Sequence, residues 1–132
     1  MSCALSTRPG IAPWATVFVT RIERGEVWMT ALDSVRGHEQ AGTRPVLVMS
    51  ETVYNQGPAG LIYGLPMTSR LRKLPHHVRL EPPEGGLTVA SSLLCDGLRS
   101  LSKQRFIRRL GVVSPKTMNQ VEEILKVLLG LP

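Results

Sequence analysis

Pro45-Val46-Leu47-Val48-Met49 is a short, unbroken apolar run, the pattern of a strand buried on both of its faces. Its neighbours along the chain set the fold class. Upstream, Glu26-Val27-Trp28-Met29-Thr30-Ala31-Leu32 has the β-formers and mixed polarity of a second strand. A polar loop rich in turn residues, 33–43, joins the two. Downstream, Asn55-Gln56-Gly57-Pro58 signals a turn, and residues 60–66, 77–80, 87–95 and 108–113 read as further strands. Between them lie a basic loop at 70–75 and a turn at Pro82-Pro83-Glu84-Gly85-Gly86.

The last element differs in kind. Ser114 is an N-cap, and Pro115 stands at the first helical position, where its missing N–H would lack a partner anyway. Val121, Ile124, Leu125 and Leu128 recur at helical spacing, and Gly130 closes the segment. The pattern predicts a mainly β fold, a small partly open barrel with one amphipathic C-terminal helix against it. A dimer would cover the exposed sheet edges. Residues 1–20, with Pro9, Gly10 and Pro13 and no clear period, read as an extension of low order, and 21–132 as the domain.

The chain of 132 residues suffices for one core and excludes a multidomain machine. No run approaches the roughly 18 apolar residues that a bilayer span requires. Cys3 and Cys95 are far apart and form no C-x-x-C pair, and no secretory signal is evident, so a reduced cytoplasmic setting is expected. With His38, His76 and His77 as its histidines the chain offers no ligand set for a structural zinc, and neither metal nor cofactor is expected. The net charge of +6 is uneven: residues 66–116 hold ten bases and three acids, and the remainder six bases and seven acids. A local excess of this size is the footprint of a protein that handles a polyanion.

Arg24-Gly25-Glu26-Val27-Trp28, then Gly37-His38-Glu39-Gln40-Ala41-Gly42-Thr43-Arg44-Pro45-Val46-Leu47-Val48, resembles the MazF/PemK/Kid family of toxin endoribonucleases. The likeness continues through Pro66-Met67-Thr68-Ser69, Cys95-Asp96, Arg99-Ser100-Leu101, Arg109-Leu110-Gly111-Val112-Val113-Ser114 and the terminal helix, covering roughly residues 22–131. The motifs follow one another in the family's order along the chain. The resemblance implies an SH3-like barrel, a homodimer, and metal-free cleavage of single-stranded RNA to a cyclic phosphate and a free 5′-hydroxyl. It also implies neutralisation by a cognate antitoxin, with DNA engaged only through the toxin–antitoxin complex.

Metal-free RNA cleavage needs a base for the 2′-hydroxyl, an acid for the leaving 5′-oxygen, and donors for charge growing on phosphorus. The resemblance assigns catalysis to Arg44, Thr68, His38 and Asp96. Arg44 offers bidentate donors and charge to phosphate. Thr68 offers a hydroxyl, His38 a near-neutral imidazole, and Asp96 a carboxylate that can act as base if a cation positions it. Which group is base and which acid stays open, because this chain has Leu94 where some relatives carry an Arg immediately before Cys-Asp.

Sequence-specific reading of RNA favours unstacked bases, with loops 33–43 and 68–75 as the walls of the groove. Arg36 and Gln40 stand where base edges would pass, Arg70, Arg72 and Lys73 are assigned to phosphate, and Glu39 and Arg99 complete the RNA-binding candidates. Two other classes remain: a gyrase poison of the related CcdB barrel type, with no chemistry, and an inactive member that only binds RNA or assists repression.

Overall fold

The computed structural model describes residues 21–32 and 42–132. The N-terminal extension and loop 33–41, with His38, Arg36, Glu39 and Gln40, lie outside the described residues. Seven strands form the sheet: β1 (Glu26–Leu32), β2 (Gly42–Val48), β3 (Leu61–Thr68), β4 (His77–Leu80), β5 (Ser91–Leu94), β6 (Arg99–Ser102) and β7 (Phe106–Val112). A single helical turn, α1 (Thr52–Asn55), follows β2, and α2 (Pro115–Leu129) follows β7. The strand order is β4-β5-β3-β2-β1-β7, with β6 pairing β3 beside β5, and each of these pairs is antiparallel.

The apolar run that begins at Pro45 behaves as its composition predicts. Leu47 and Met49 enter a cluster with Val27, Leu65, Met67, Leu80 and Leu93, onto which Val121 of α2 packs. Val46 and Val48 enter a second cluster with Ile22, Trp28, Ile62, Leu101 and Phe106. One strand therefore divides alternate side chains between two cores, which is why it shows no polar face. β2 and β3 approach closely at Gly64, where an added Cβ would lie 2.4 Å from Val46 Cγ1 and 3.2 Å from the Leu47 carbonyl oxygen.

α2 begins and ends as expected. Ser114 Oγ accepts from the Thr117 N–H at 3.2 Å, and Gly130 takes the left-handed conformation with φ 68°, letting Leu131 N–H reach the Lys126 carbonyl at 2.8 Å. Glu84, on a 3-10 turn, also accepts from Ser114 N–H at 3.0 Å and Thr117 Oγ1 at 2.5 Å, a cap supplied from outside the helix.

Several boundaries move. The strand expected over 87–95 shrinks to β5, because residues 87–90 make no ladder and Val89 is exposed. Arg99–Ser102, not expected as a strand, pairs Ile62 with Leu101 and Gly64 with Arg99. β7 begins at Phe106 rather than 108, and β2 takes in Gly42 and Thr43 from the expected loop. The turn at Asn55 is preceded by α1, whose Asn55 side chain donates to the Ile22 carbonyl at 2.9 Å.

Candidate functional site

Directly paired residues in antiparallel strands project on the same face, so the ladders define a row of side chains. On one face Thr30 of β1 pairs Arg44 of β2. The β2–β3 ladder stops at Val46–Pro66. Met49 N–H bonds the Tyr63 carbonyl at 2.9 Å, so the odd-numbered residues of β2 face β3, and Pro45 lacks the N–H that would carry the ladder on to Met67. Beyond that point β3 turns to β5, where Thr68 pairs Ser92, and Ser92 pairs Arg79 of β4. Carrying the β2–β3 register two residues past its last pair sets Arg44 across the splay from Thr68. The row therefore runs Thr30, Arg44, Thr68, Ser92, Arg79, with an opening between its second and third members.

Pro45 ends the ladder at that opening, and the strand register sets which residues border it. Arg44 and Thr68 are half-buried, Ser92 is buried and Arg79 is exposed. Thr68 Oγ1 accepts the Arg70 N–H at 3.1 Å, which fixes the start of the basic loop and leaves the hydroxyl proton to donate outward. Arg70, Arg72 and Lys73 follow on exposed backbone. Arg79 Nε lies 2.6 Å from Glu81 Oε2. Arg99 stands opposite Gly64, on the same face as Arg44, Val46 and Thr68 but level with Val48, farther along the strands than the row.

Asp96 occupies the 3-10 turn after β5, and that turn packs on Pro66: a Cβ on the adjacent Gly97 would be 3.1 Å from Pro66 Cγ. Its carboxylate meets two imidazoles. Asp96 Oδ2 is 3.1 Å from His76 Nε2, and Oδ1 is 3.6 Å from His77 Nε2. A bend before β4 lets neighbouring residues face one group: His76 is still in the turn closed by His77 N–H on the Leu74 carbonyl at 3.0 Å. Burial holds the His77 pKa below its ordinary value despite the Asp96 charge, since desolvation disfavours the imidazolium. Cys95 points into the core, and burial pushes its thiol up to about 11, so it supplies no nucleophile near neutral pH.

The sequence-predicted Arg44, Thr68 and Asp96 thus all border the end of β3, while Arg99 joins from β6. Leu94 pairs His77, so the groups facing Asp96 are imidazoles from β4 and the turn before it and not a side chain at the position before Cys-Asp. Thr30, Ser92, Arg79 and His76 went unassigned in the sequence. Arg79 was readable there: Val78 and Leu80 alternate as the buried pair of a four-residue strand, which leaves His77 and Arg79 on the other face. Ser92 and Thr30 carry no local signal.

The sequence profile of PemK-like, MazF-like toxins of type II toxin-antitoxin systems matches residues 23–129. The chain belongs to the PemK/MazF toxin family. Endoribonuclease EndoA of Bacillus subtilis (strain 168) is 31% identical over 111 residues, covering 83% of this chain and 96% of that protein. The crystal structure of MazF from Deinococcus radiodurans superposes with a TM-score of 0.76 at 32% identity, over 86% of this chain and all of that one. A MazE-MazF complex from the same organism gives a TM-score of 0.71 at 32% identity and the same coverage. The PemK/MazF fold is therefore that of this chain, a bent antiparallel sheet with a C-terminal helix. No helix among the described residues is long and apolar enough to cross a membrane.

Proposed function

We propose that this PemK/MazF-family endoribonuclease is a toxin that cuts single-stranded RNA at a short recognition sequence, without a metal ion in the reaction. The 2′-hydroxyl attacks phosphorus and the bond from phosphorus to the 5′-oxygen breaks. A 2′,3′-cyclic phosphate and a 5′-hydroxyl remain. The observation that carries this reading is the end of the β2–β3 ladder at Val46–Pro66, whose register, carried on by two residues, supports a placement of Arg44 across from Thr68. A phosphate seated there takes bidentate N–H donors and charge from Arg44 and a hydroxyl donor from Thr68, the groups that relieve charge growing on phosphorus. Asp96, on the turn packed against Pro66, accepts the 2′-hydroxyl proton. His38, outside the described residues, is assigned the proton that the 5′-oxygen takes.

Arg70, Arg72, Lys73 and Arg99 grip flanking phosphates, and Arg36, Glu39 and Gln40 meet base edges. The toxin works as a cytoplasmic homodimer and is neutralised by an acidic, partly disordered antitoxin laid over the same basic groove. The MazE-MazF complexes among similar structures support that partner. The test is to incubate tag-free full chain with a long single-stranded RNA in EDTA and map the 5′ ends. Discrete cuts at one short sequence are expected, with Arg44→Ala and Thr68→Ala each slowing cleavage by about 10²–10³-fold. Absence of discrete cuts by the folded wild type would sink the reading.

A further inference from the structure

Asp96 has more partners than a proton acceptor needs. His76 Nε2 and His77 Nε2 approach its two carboxylate oxygens at 3.1 and 3.6 Å, and one donor atom from each of the three residues falls within 4.8 Å of the others. Donors around a tetrahedral zinc, bound at about 2.0–2.1 Å, lie about 3.3 Å apart, so the two imidazole–carboxylate spacings are near those of a coordination shell and the third donor pair, within 4.8 Å, closes on it by side-chain rotation. The rings meet edge to face with centroids 4.7 Å apart, so they do not stack, and their Nε2 atoms approach the two oxygens of one carboxylate. His77 is fixed: its side chain is 8% exposed, and its Nδ1 is buried without a hydrogen-bond partner, so Nε2 toward Asp96 is the polar outlet of the ring. Asp96, at 51%, and His76, at 32%, keep the other side open to water.

We propose that His76, His77 and Asp96 form a binding site for a divalent transition-metal ion, zinc above all, and that the ion inhibits the nuclease by occupying Asp96. Two imidazoles and one carboxylate suit zinc, cobalt(II) and nickel(II) better than magnesium or calcium, which prefer oxygen shells. Three protein donors leave a position for water, giving an exchangeable site rather than a closed structural one. The ion occupies the carboxylate oxygens that would otherwise accept a proton, and sets a fixed cation beside the splay. This second clause rests on the assignment of Asp96 as the base for the 2′-hydroxyl.

The test uses tag-free full chain stripped with EDTA and then dialysed. Zinc is titrated calorimetrically, and cobalt(II) is followed by its visible absorption, which is intense for a four-coordinate site. One ion per chain, bound in the micromolar range, is expected. Asp96→Asn and His76→Gln, at partly exposed positions, each weaken binding at least tenfold, while Glu51→Gln, an exposed carboxylate outside the cluster, leaves it unchanged. Circular dichroism confirms that the variants fold. Lack of saturable binding up to 100-fold excess zinc, or binding that both variants retain, overturns the site. Cleavage assayed on the same preparation should fall as the site fills and return with EDTA. Full activity at saturation overturns the inhibitory role. An inactive metal-free wild type would instead count against the nuclease reading, and the calorimetric result would stand by itself.

Discussion

Replacing Glu26 isolates what its two oxygens do. Its side chain is 11% exposed; Oε1 accepts from the Glu23 N–H and from Trp28 Nε1, both at 2.9 Å, and Oε2 accepts from Arg109 Nε at 2.8 Å. Glu26→Ala leaves the buried indole N–H and a partly buried backbone N–H without acceptors, at about 1–3 kcal/mol for the first and about 1 kcal/mol for the second. The Arg109 pair adds little, because that guanidinium is half exposed and solvent screens it. The expected loss is about 3 kcal/mol, a fall in Tm of roughly 10–20 °C for a domain of this size. Glu26→Gln discriminates between the oxygens. Its amide oxygen takes the place of Oε1, only the Arg109 contact goes, and the loss should stay within about 1 kcal/mol. Urea unfolding followed by far-ultraviolet circular dichroism measures both. An alanine variant within 1 kcal/mol of wild type, or a glutamine variant as unstable as the alanine one, would refute the assignment of donors to oxygens.

Gly64→Ala puts a Cβ 2.4 Å from Val46 Cγ1 and should lower stability by about 1–3 kcal/mol, read as a lower urea midpoint at unchanged slope; an unchanged midpoint would show that β2 and β3 separate freely. Burial alone would raise the Glu84 pKa, but hydrogen bonds from Thr117 and from the Ser114 N–H and hydroxyl outweigh it and hold it below the ordinary value. A depressed carboxylate contributes stability that is full above its unfolded pKa, about 4.3, and is lost as pH falls through its folded value, so the fall in stability below about pH 4.5 should be shallower in Glu84→Gln. Arg79→Ala should weaken RNA binding uniformly across sequences and reduce the slope of log affinity against log salt by about 0.7, measured by fluorescence anisotropy; an unchanged slope would remove Arg79 from the phosphate contacts.

How much of this was legible depends on whether the cause was local. The run at Pro45–Met49 announced its strand because both cores claim alternate residues, and α2 carried its caps in Ser114, Pro115 and Gly130. β6 was illegible. Arg99-Ser100-Leu101-Ser102 has one buried apolar residue, and it is a strand because β3 offers it a free ladder. The opposite error at 87–90 has the same origin, since apolar Val89 finds no partner strand and stays exposed. Arg24-Gly25-Glu26-Val27-Trp28 supported the family resemblance, yet its charged groups are architectural: Arg24 donates to the Met49 carbonyl and pairs with Glu122 of α2, and Glu26 ties Trp28 and Arg109. The Asp96 cluster joins β4 to the turn after β5, a conjunction that spacing along the chain does not express.

The same register sharpens what the basic segment means. Ten bases in residues 66–116 read as one grip when counted along the sequence, but the ladders distribute them. Thr30, which opens the row at Arg44, pairs on its other side with Phe106, a buried aromatic, so the polar row ends at β1 and does not continue onto β7. Arg108 pairs Met29 and Arg109 is engaged by Glu26, so these two bases sit outside the row. The charge that borders the splay comes from the other direction, from the loop anchored on the Thr68 hydroxyl and from β4 through Arg79. On the proposed function, a polyanion seated between Arg44 and Thr68 leaves toward β5 and β4, past the turn that carries Asp96. The proposed RNA path and the proposed metal site then both border the end of the β2–β3 ladder, where Gly97 packs on Pro66.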